Sequence, residues 1–573
     1  METLLFTFLP KSFPFLDSSF VGTAKRCRSN FIANVTRCQK KTTTSEESVA
    51  RGRMKTPYSL HEVIFKPLHD FISSFNGGDD NLPRFLDPKH VLYGHFSPVD
   101  ELPPTACEVS EGSLPPCLDG VYIQNGPNPQ FMPVGPYHYV DGDGMLHSIK
   151  ISGGKATFCS RYVKTFKYRI ERDLGYPVLP NAVAYFASNL KASMLLTIAR
   201  FLTGQFNPFL DGIGTANTSI ALVGGRLLAL VETDLPYEVK ITPDGDITTV
   251  GRHDFGGRHR FPTMTAHPKT DPDTGETFAF RHFVVPPYLS FFRVDSDGTK
   301  HDDVHIYSMK GAALVHDFVL TKNFAVFPDP QIVIDPPQIL RGKAIMRADM
   351  KKIPRLGVIP RYAEDEREMY WVDVPGLNVV HTVNAWEEDG GRKIVVVASN
   401  VLSVEHSLED LNQIKIEKIT IDAQAKKIVT RYPVSGRNLD FGSINTLYSG
   451  KKNRYVYAGV IESMPKMVGL VKIDLSLSAA DCTVATRMYG PGCYGSEPVF
   501  VAREAAAEED DGYLVAYVNN ESTQESRFLV MDAKSPTLEI VAYVKLPRRV
   551  PQGFHSIFVK QTHLHSSQTL NFR

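Results

Sequence analysis

Cysteine is scarce in this sequence, and its placement argues against two kinds of site. The 573 residues include seven cysteines, and no two of them form a C-x-x-C pair. They are Cys27, Cys38, Cys107, Cys117, Cys159, Cys482 and Cys493. An odd, widely scattered set argues against a disulfide scaffold and against a thiolate zinc site, and it indicates a reducing compartment. If a metal is bound, its ligands are therefore expected to be histidines and carboxylates.

Net charge is also absent, because 63 acidic residues balance 63 basic ones. The chain thus has no global positive field for holding a phosphate backbone, and nucleic acid is not expected as a partner. Hydrophobic residues make up 42% of the sequence and charged residues 22%. That balance is typical of a folded globular protein with ample material for a core.

Long apolar runs are missing as well. No stretch of 18 or more apolar residues occurs, so no helix is predicted to span a bilayer. Two segments, 60–75 and 182–201, are amphipathic or largely apolar and are predicted to be helical. Such helices most often pack on a protein core. The alternative is that an apolar face dips into a membrane surface.

The first 51 residues differ in composition from the rest of the chain. The first 44 contain only Glu2 and Asp17 as acids, while serine, threonine, lysine and arginine are frequent. This bias is typical of an organelle transit peptide, with a disordered tail as the alternative. We therefore predict a transit peptide over 1–51, an amphipathic extension over 52–91 and one large domain over 92–573.

Short strands separated by turns dominate from about residue 120 onward. Apolar and β-branched runs occupy 219–232, 393–404, 454–460, 513–518, 528–531 and 538–544, and the first is divided at Gly224-Gly225. So many short strands without alternating helices predict an all-β protein. At this length a propeller of four-stranded blades is favoured over a sandwich, because radial repetition leaves no long open edges. The number of blades cannot be read from the residues.

Four of the eighteen histidines have neighbours suited to a buried metal site. They are His267 in TMTAHP, His316 in ALVHDF, His381 in NVVHTVNAW and His555 in GFHSIF. A single histidine in such a setting is usually a satisfied core residue. The intervals of 49, 65 and 174 residues are too wide for a local zinc motif. They would suit one ligand from each of several blades meeting on a common axis.

Three carboxylates stand among apolar strand residues. They are Glu232 in LLALVE, Asp440 in RNLDFG and Glu497 in YGSEP. Burying such groups is costly unless they are paired, and histidine ligands usually give their second ring N–H to a carboxylate. Taken singly, each residue is better explained as a turn or surface carboxylate.

Several longer blocks carry a family resemblance. They are QNGPNPQF (124–131), VDGDGMLH (140–147), ETDLPY (232–237), MTAHPKTDPDTGE (264–276), RLGVIPRY (355–362), HTVNAWEE (381–388), GSEPVFV (495–501) and RVPQGFH (549–555). Together they resemble the carotenoid cleavage dioxygenase family from about residue 92 to the C-terminus. ATFCSRYVKT, RMYGPGCYGSEP and RFLVMDAKSP are similar to its type-4 plastid branch.

The resemblance implies a seven-bladed propeller with a helical cap over one face. On its axis, one iron(II) ion is expected to be held by His267, His316, His381 and His555, three of which would be supported by Glu232, Asp440 and Glu497. Dioxygen would be the co-substrate, and one double bond of a carotenoid or apocarotenoid would become two carbonyl groups. An apolar tunnel would select the bond. The branch also implies a plastid location, with possible attachment to a plastid membrane or plastoglobule.

Departures from the family pattern bear on which bond is cut. Relatives often have glutamate at the position of Asp440, and phenylalanine where Val140 follows Tyr139; Ser556 and Gln552 stand where glycine and an aromatic residue are common. Tyr139, Val140 and Phe441 are the candidate tunnel residues, and cleavage at 9,10 (9′,10′) or at 7,8 (7′,8′) is expected. The alternatives are a 9-cis-epoxycarotenoid dioxygenase and a carotenoid-binding or isomerising protein of the same fold that does not cleave.

Overall fold

The computed structural model describes residues 66–67 and 82–564, apart from 134, 180–182, 185–190, 204–206, 208–209, 257–262, 342–343, 406–412 and 464. The predicted transit peptide, residues 52–65 and 68–81 of the extension, and the predicted helix at 60–75 apart from 66–67 lie outside these residues. Within the described part of the chain the protein is mostly β, as predicted. No helix there is both long and apolar enough to cross a membrane. The five cysteines of this part are free thiols.

The first strands belong to a large sheet that also contains the last strands of the chain. They are β1 (Leu102–Gly112), β2 (Gly120–Pro127), β3 (Gly144–Ser152) and β4 (Lys155–Tyr162). Two four-stranded antiparallel sheets follow. One consists of β5 (Ser219–Val223), β6 (Arg226–Leu230), β7 (Tyr237–Ile241) and β8 (Ile247–Arg252). The other consists of β9 (Lys269–Thr270), β10 (Thr277–His282), β11 (Leu289–Val294) and β12 (Val304–Ile306).

Two more four-stranded sheets and a small hairpin occupy the middle of the chain. The third four-stranded sheet has β13 (Val319–Leu320), β14 (Phe324–Asp329), β17 (Arg355–Pro360) and β18 (Tyr370–Asp373). Between β14 and β17 the chain forms a separate hairpin of β15 (Ile332–Ile334) and β16 (Met346–Ala348). The fourth has β19 (Val379–Glu388), β20 (Lys393–Val401), β21 (Ile414–Asp422) and β22 (Lys427–Pro433).

The remaining strands complete the large sheet. They are β23 (Leu439–Ser443), β24 (Tyr455–Ser463), β25 (Lys466–Asp474), β26 (Thr483–Met488), β27 (Cys493–Gly495), β28 (Val499–Ala502), β29 (Gly512–Asn520), β30 (Glu525–Asp532), β31 (Ile540–Lys545) and β32 (Ser556–Lys560). The order in the sheet is β23-β24-β25-β27-β29-β30-β31-β1-β4-β3-β2-β32, with β26 on β25 and β28 on β29. The C-terminal β32 thus pairs with the N-terminal β2, Ile557 opposite Ile123.

Turn chemistry explains the strand boundaries that the sequence predicts. Gly224 and Gly225 take positive φ angles of 52° and 73° between β5 and β6, a conformation that glycine adopts without steric cost. Each of the six predicted strand runs overlaps observed strands, so these local predictions are confirmed. They succeed because strand and turn propensities agree along the chain.

Helices are few in the described residues. They include α1 (Pro88–Val91), α2 (Phe166–Leu174) and α3 (Lys191–Leu202), which overlaps the predicted helix at 182–201. The Thr165 hydroxyl caps α2 by accepting from the Tyr168 N–H, and Gly175 ends it with a left-handed conformation. Single 3₁₀ turns occur at Gly94–Phe96, Pro116–Leu118, Pro336–Arg341, Asp389–Gly391 and Thr446–Tyr448.

Buried apolar clusters join each group of strands to the next. Leu228 of β6 packs with Phe292 of β11, and Phe280 of β10 packs with Phe327 of β14. Equivalent clusters join β13–β18 to β19–β22, then β19–β22 to β23–β26, and then β23–β26 to β28–β31. Another joins β28–β31 to β2–β4, and the last joins β2–β4 to β5–β8. Apolar burial of this kind is the main force holding the sheets together.

Candidate metal centre

The four candidate histidines lie at corresponding places in four different groups of strands. His267, His316 and His555 precede β9, β13 and β32, while His381 lies near the start of β19. The fold brings them together although 288 residues separate the first from the last along the chain. One ring nitrogen of each lies within 4.8 Å of the corresponding nitrogen of the other three.

Ring geometry within the cluster fits a shared ion. His267 Nε2 lies 3.0 Å from His316 Nε2, and the His267 ring centroid lies 4.5 Å from that of His555. Two nitrogens that each lie about 2.1 Å from one ion, at a right angle to each other, are separated by about 3.0 Å. A set of neutral imidazoles suits iron, zinc, copper or nickel. The donor set therefore fits a transition metal.

Three of the histidines contact the three predicted carboxylates through Nδ1. Glu232 Oε1 lies 2.5 Å from His316 Nδ1, both oxygens of Asp440 lie 3.0 Å from His381 Nδ1, and Glu497 Oε1 lies 3.1 Å from His555 Nδ1. A carboxylate at Nδ1 holds the proton there and leaves the Nε2 lone pair free. The structure thus places all seven predicted residues in one arrangement.

The electrostatics of the pairs favour this protonation pattern. Burial alone would raise the pKa of Glu232 and of Asp440, but His316 and His381 outweigh burial and lower both. For His381, burial would lower the pKa, and Asp440 outweighs it and raises the pKa. Burial, followed by the charges of the other three histidines, lowers the pKa of His267 well below its usual value. His267 is therefore neutral at pH 7 and carries a free lone pair.

Ser556, Tyr122 and Ser496 form hydrogen bonds next to the Glu497–His555 pair. The Ser556 N–H donates to Glu497 Oε2 at 2.8 Å. The buried Tyr122 hydroxyl lies 3.0 Å from Ser496 Oγ and 2.9 Å from Ser556 Oγ. Ser556 stands out in the sequence only as a departure from the family pattern, while Tyr122 and Ser496 carry no local signal. The 434 residues between Tyr122 and Ser556 explain why their contact cannot be read from the sequence.

Phe441 directly follows Asp440 and forms an apolar wall beside the histidines. Its ring centroid lies 5.1 Å from that of His381 and 5.5 Å from that of His555. It packs in a cluster with Ile332, Met346, Val401, Val404, Ile414, Ile461 and Met467. Its φ angle of 52° is unusual for a bulky residue, and strain of this kind, about 1–3 kcal/mol, tends to occur at functional sites.

The other two tunnel candidates lie in the loop before β3. The Tyr139 ring centroid is 6.5 Å from that of Phe554, the residue before His555. Burial, followed by the charge of Asp440, raises the pKa of Tyr139, so its hydroxyl stays protonated. Val140 is fixed through its backbone, where its carbonyl accepts from Asn217 Nδ2 at 3.0 Å.

Comparison with known proteins relates the whole arrangement to one family. Residues 96–560 match the family model described as retinal pigment epithelial membrane protein. A relative from Arabidopsis thaliana, named Probable carotenoid cleavage dioxygenase 4, chloroplastic, is 54% identical over 89% of this chain and 87% of its own length. The chromoplastic zeaxanthin 7,8(7′,8′)-cleavage dioxygenase of Crocus sativus is 50% identical over 62% of this chain and 98% of its own.

A solved structure shares the fold. A variant of the apocarotenoid oxygenase of Synechocystis superposes with a TM-score of 0.68 at 24% identity, covering 83% of this chain and all of the other. This match agrees with the mostly β architecture of the present chain.

Proposed function

This chain belongs to the retinal pigment epithelial membrane protein family, together with the plant carotenoid cleavage dioxygenases, and from that premise we infer that it is a dioxygenase that cleaves carotenoids. Dioxygen and one carbon-carbon double bond would give two carbonyl groups, so that each product receives one oxygen atom. The single observation that carries the proposal is the cluster of His267, His316, His381 and His555 with its three carboxylates.

We propose that the four histidines hold one iron(II) ion through Nε2. Four neutral imidazoles would leave the ion its full positive charge, unlike a site of two histidines and one carboxylate. When bound, the iron supplies the activation of dioxygen. Glu232, Asp440 and Glu497 would fix the ring tautomers and orientations of their histidines, which strengthens nitrogen donors.

The protein's part in selecting the bond would be positioning. A polyene is a stiff apolar rod, and a shift of about 1 Å at the reacting atoms can cost two orders of magnitude in rate. The path of the rod would be lined by Phe441 with its apolar cluster and by Tyr139 and Val140 of the loop before β3. The substrate would be a carotenoid or an apocarotenoid, cut at 9,10 (9′,10′) or at 7,8 (7′,8′); the Crocus sativus relative is named for the latter.

We further propose that the strands form a closed seven-bladed propeller. Four blades would be the separate four-stranded sheets, and three would lie within the large sheet, as β23–β26, β28–β31 and β32 with β2–β4. The clusters support this, because they join successive groups and also join the last group to the first. Closure would remove exposed sheet edges. Helices such as α3 would form the cap over one face.

We also propose a plastid location and domain boundaries for the chain. Residues 1–51 would direct the chain to a plastid, in keeping with the chloroplastic and chromoplastic names of the relatives. The oxygenase domain would occupy 92–573 after the 52–91 extension. Attachment to a plastid membrane or plastoglobule would use apolar helix faces. A fluorescent fusion of residues 1–51 that stays in the cytosol would contradict the plastid proposal.

Reconstitution with iron(II) without oxygen, followed by exposure to air and substrate, tests the activity. The panel is zeaxanthin, β-carotene, an apocarotenal and a 9-cis-epoxycarotenoid, with products identified by mass. Carbonyl products are expected from the native protein and from His305→Ala, which alters an exposed histidine on β12, and not from His316→Ala. Iron binding without any cleavage would favour the non-cleaving alternative, and failure to bind iron would overturn the proposed site.

A further inference from the structure

Asp317, the residue after His316, is buried with 1% of its surface exposed. Its Oδ1 accepts the Phe318 N–H at 2.7 Å and lies 2.8 Å from the Lys269 ammonium. Its Oδ2 accepts the Thr382 N–H at 2.7 Å and lies 2.7 Å from the Thr382 hydroxyl. That hydroxyl also lies 2.8 Å from the Phe318 carbonyl, so its one proton serves either acceptor.

These partners connect three of the four histidine segments. Lys269 lies two residues after His267, and Thr382 directly follows His381. One carboxylate therefore contacts the chain beside His267, His316 and His381, although the three histidines come from three different sheets. Glu232 and Asp440, in contrast, contact the imidazole rings themselves.

We propose that Asp317 is a positioning residue that fixes the spacing of three ligand segments, so that their nitrogens meet at one metal ion. The proposal rests on the metal site of the proposed function. Apolar clusters hold the sheets together without directional preference, whereas a metal site requires its donor groups to be placed within about 0.5 Å. Charge-assisted hydrogen bonds have the short lengths and defined directions that this placement requires.

Burial of an acid next to a metal ligand would be costly without compensation. Here both oxygens are occupied by backbone N–H groups, a hydroxyl and an ammonium. The alternative is that these residues form an ordinary structural ion pair on which the spacing of the histidines does not depend. A test must therefore separate loss of stability from loss of site geometry.

Asp329 supplies the matched control. It is also 1% exposed and also binds basic side chains, because Arg355 Nη2 lies 2.6 Å from its Oδ2 and Lys352 contacts its Oδ1. It lies at the end of β14, and it accepts hydrogen bonds from Lys352 and Arg355, which lie outside the histidine segments. Asp329→Asn makes the same chemical change in a comparable buried ion pair.

Cobalt(II), used alone as the probe, reports both affinity and ligand geometry. Dissociation constants and visible absorption spectra are measured for the native protein, Asp317→Asn and Asp329→Asn, with melting temperatures of the metal-free proteins. Because an amide offers one acceptor where the carboxylate offers two, we expect Asp317→Asn to bind cobalt about 10–100-fold more weakly, with a changed spectrum. Asp329→Asn should lower the melting temperature and keep native affinity and spectrum.

Thr382→Val provides a milder variant if Asp317→Asn does not fold. It removes the hydroxyl, keeps the N–H that Asp317 accepts, and is expected to weaken cobalt binding by roughly tenfold. Native affinity and spectrum in Thr382→Val and in any folded Asp317→Asn would overturn the role of Asp317. A native protein that binds no cobalt would overturn the metal site itself, and this inference with it.

Discussion

Asp440 offers the most direct test of how the carboxylates act on the histidines, because its side chain contacts one ring and is fully buried. It is 0% exposed, and both of its oxygens lie 3.0 Å from His381 Nδ1. Asparagine has almost the same shape and can still accept the ring N–H through its amide oxygen. Asp440→Asn therefore removes the charge and keeps one hydrogen bond.

The size of the effect follows from that difference. A hydrogen bond to a charged group contributes about 1.5–3 kcal/mol and a neutral one about 0.5–1.5 kcal/mol. The loss of about 1–1.5 kcal/mol corresponds to roughly tenfold weaker metal binding, at about 1.4 kcal/mol per tenfold change. Asp440→Ala loses the whole contact and leaves the ring N–H without its partner, so about 3 kcal/mol, or roughly a hundredfold, is expected.

Competitive titration of the metal-free protein with iron(II) under anaerobic conditions measures both values. Asp329→Asn again serves as the control, since it neutralises a buried acid away from the histidines. The free energy of unfolding without metal is measured in parallel to identify variants that fail to fold. Native affinity in both folded Asp440 variants would refute the view that the carboxylate acts through His381.

Other residues give shorter tests. Tyr122→Phe leaves the Ser496 and Ser556 hydroxyls without their shared partner; urea unfolding should show a loss of about 1–3 kcal/mol, and an unchanged stability would contradict the role of that contact. Phe441→Leu removes the ring beside the histidines and should change product chain lengths, read by mass, while metal affinity stays native; identical products would exclude Phe441 from bond selection. Burial raises the pKa of Asp141 from 3.8 to about 6, so its charged form opposes folding. Stability should therefore fall by about 2 kcal/mol between pH 4 and pH 6 relative to Asp141→Asn, and parallel pH profiles would contradict this.

Much of the strand pattern is predictable from sequence because it is local. β-branched runs and the Gly224-Gly225 turn each specify their own conformation. Sheet membership is not local. β32 pairs with β2 across more than 400 residues, and the large sheet merges three groups of strands through β1 and β27. No periodicity in the sequence records those pairings.

The candidate site likewise has features that the sequence predicts and features that it does not. Each of the four histidines is individually indistinguishable from a core residue, and the resemblance to a family identifies them as a set. Asp317 stands next to His316 in the sequence, yet its contact with Thr382 crosses 65 residues. Contacts between sheets decide its role, and the residue type alone does not predict them.

Two separate requirements explain why this centre contains more acids than a bound ion alone would need. Each imidazole must present the correct nitrogen, and in the proposed site Glu232, Asp440 and Glu497 would act on that choice for three of them by holding the proton at Nδ1. Each segment must also lie at the correct distance from the others, and each of these three carboxylates contacts the ring of a single histidine. Asp317 contacts backbone and side chains beside three histidines instead. With the role proposed for Asp317, a site assembled from several sheets would use acids of both kinds, three to orient the rings and one to hold the strands that carry them.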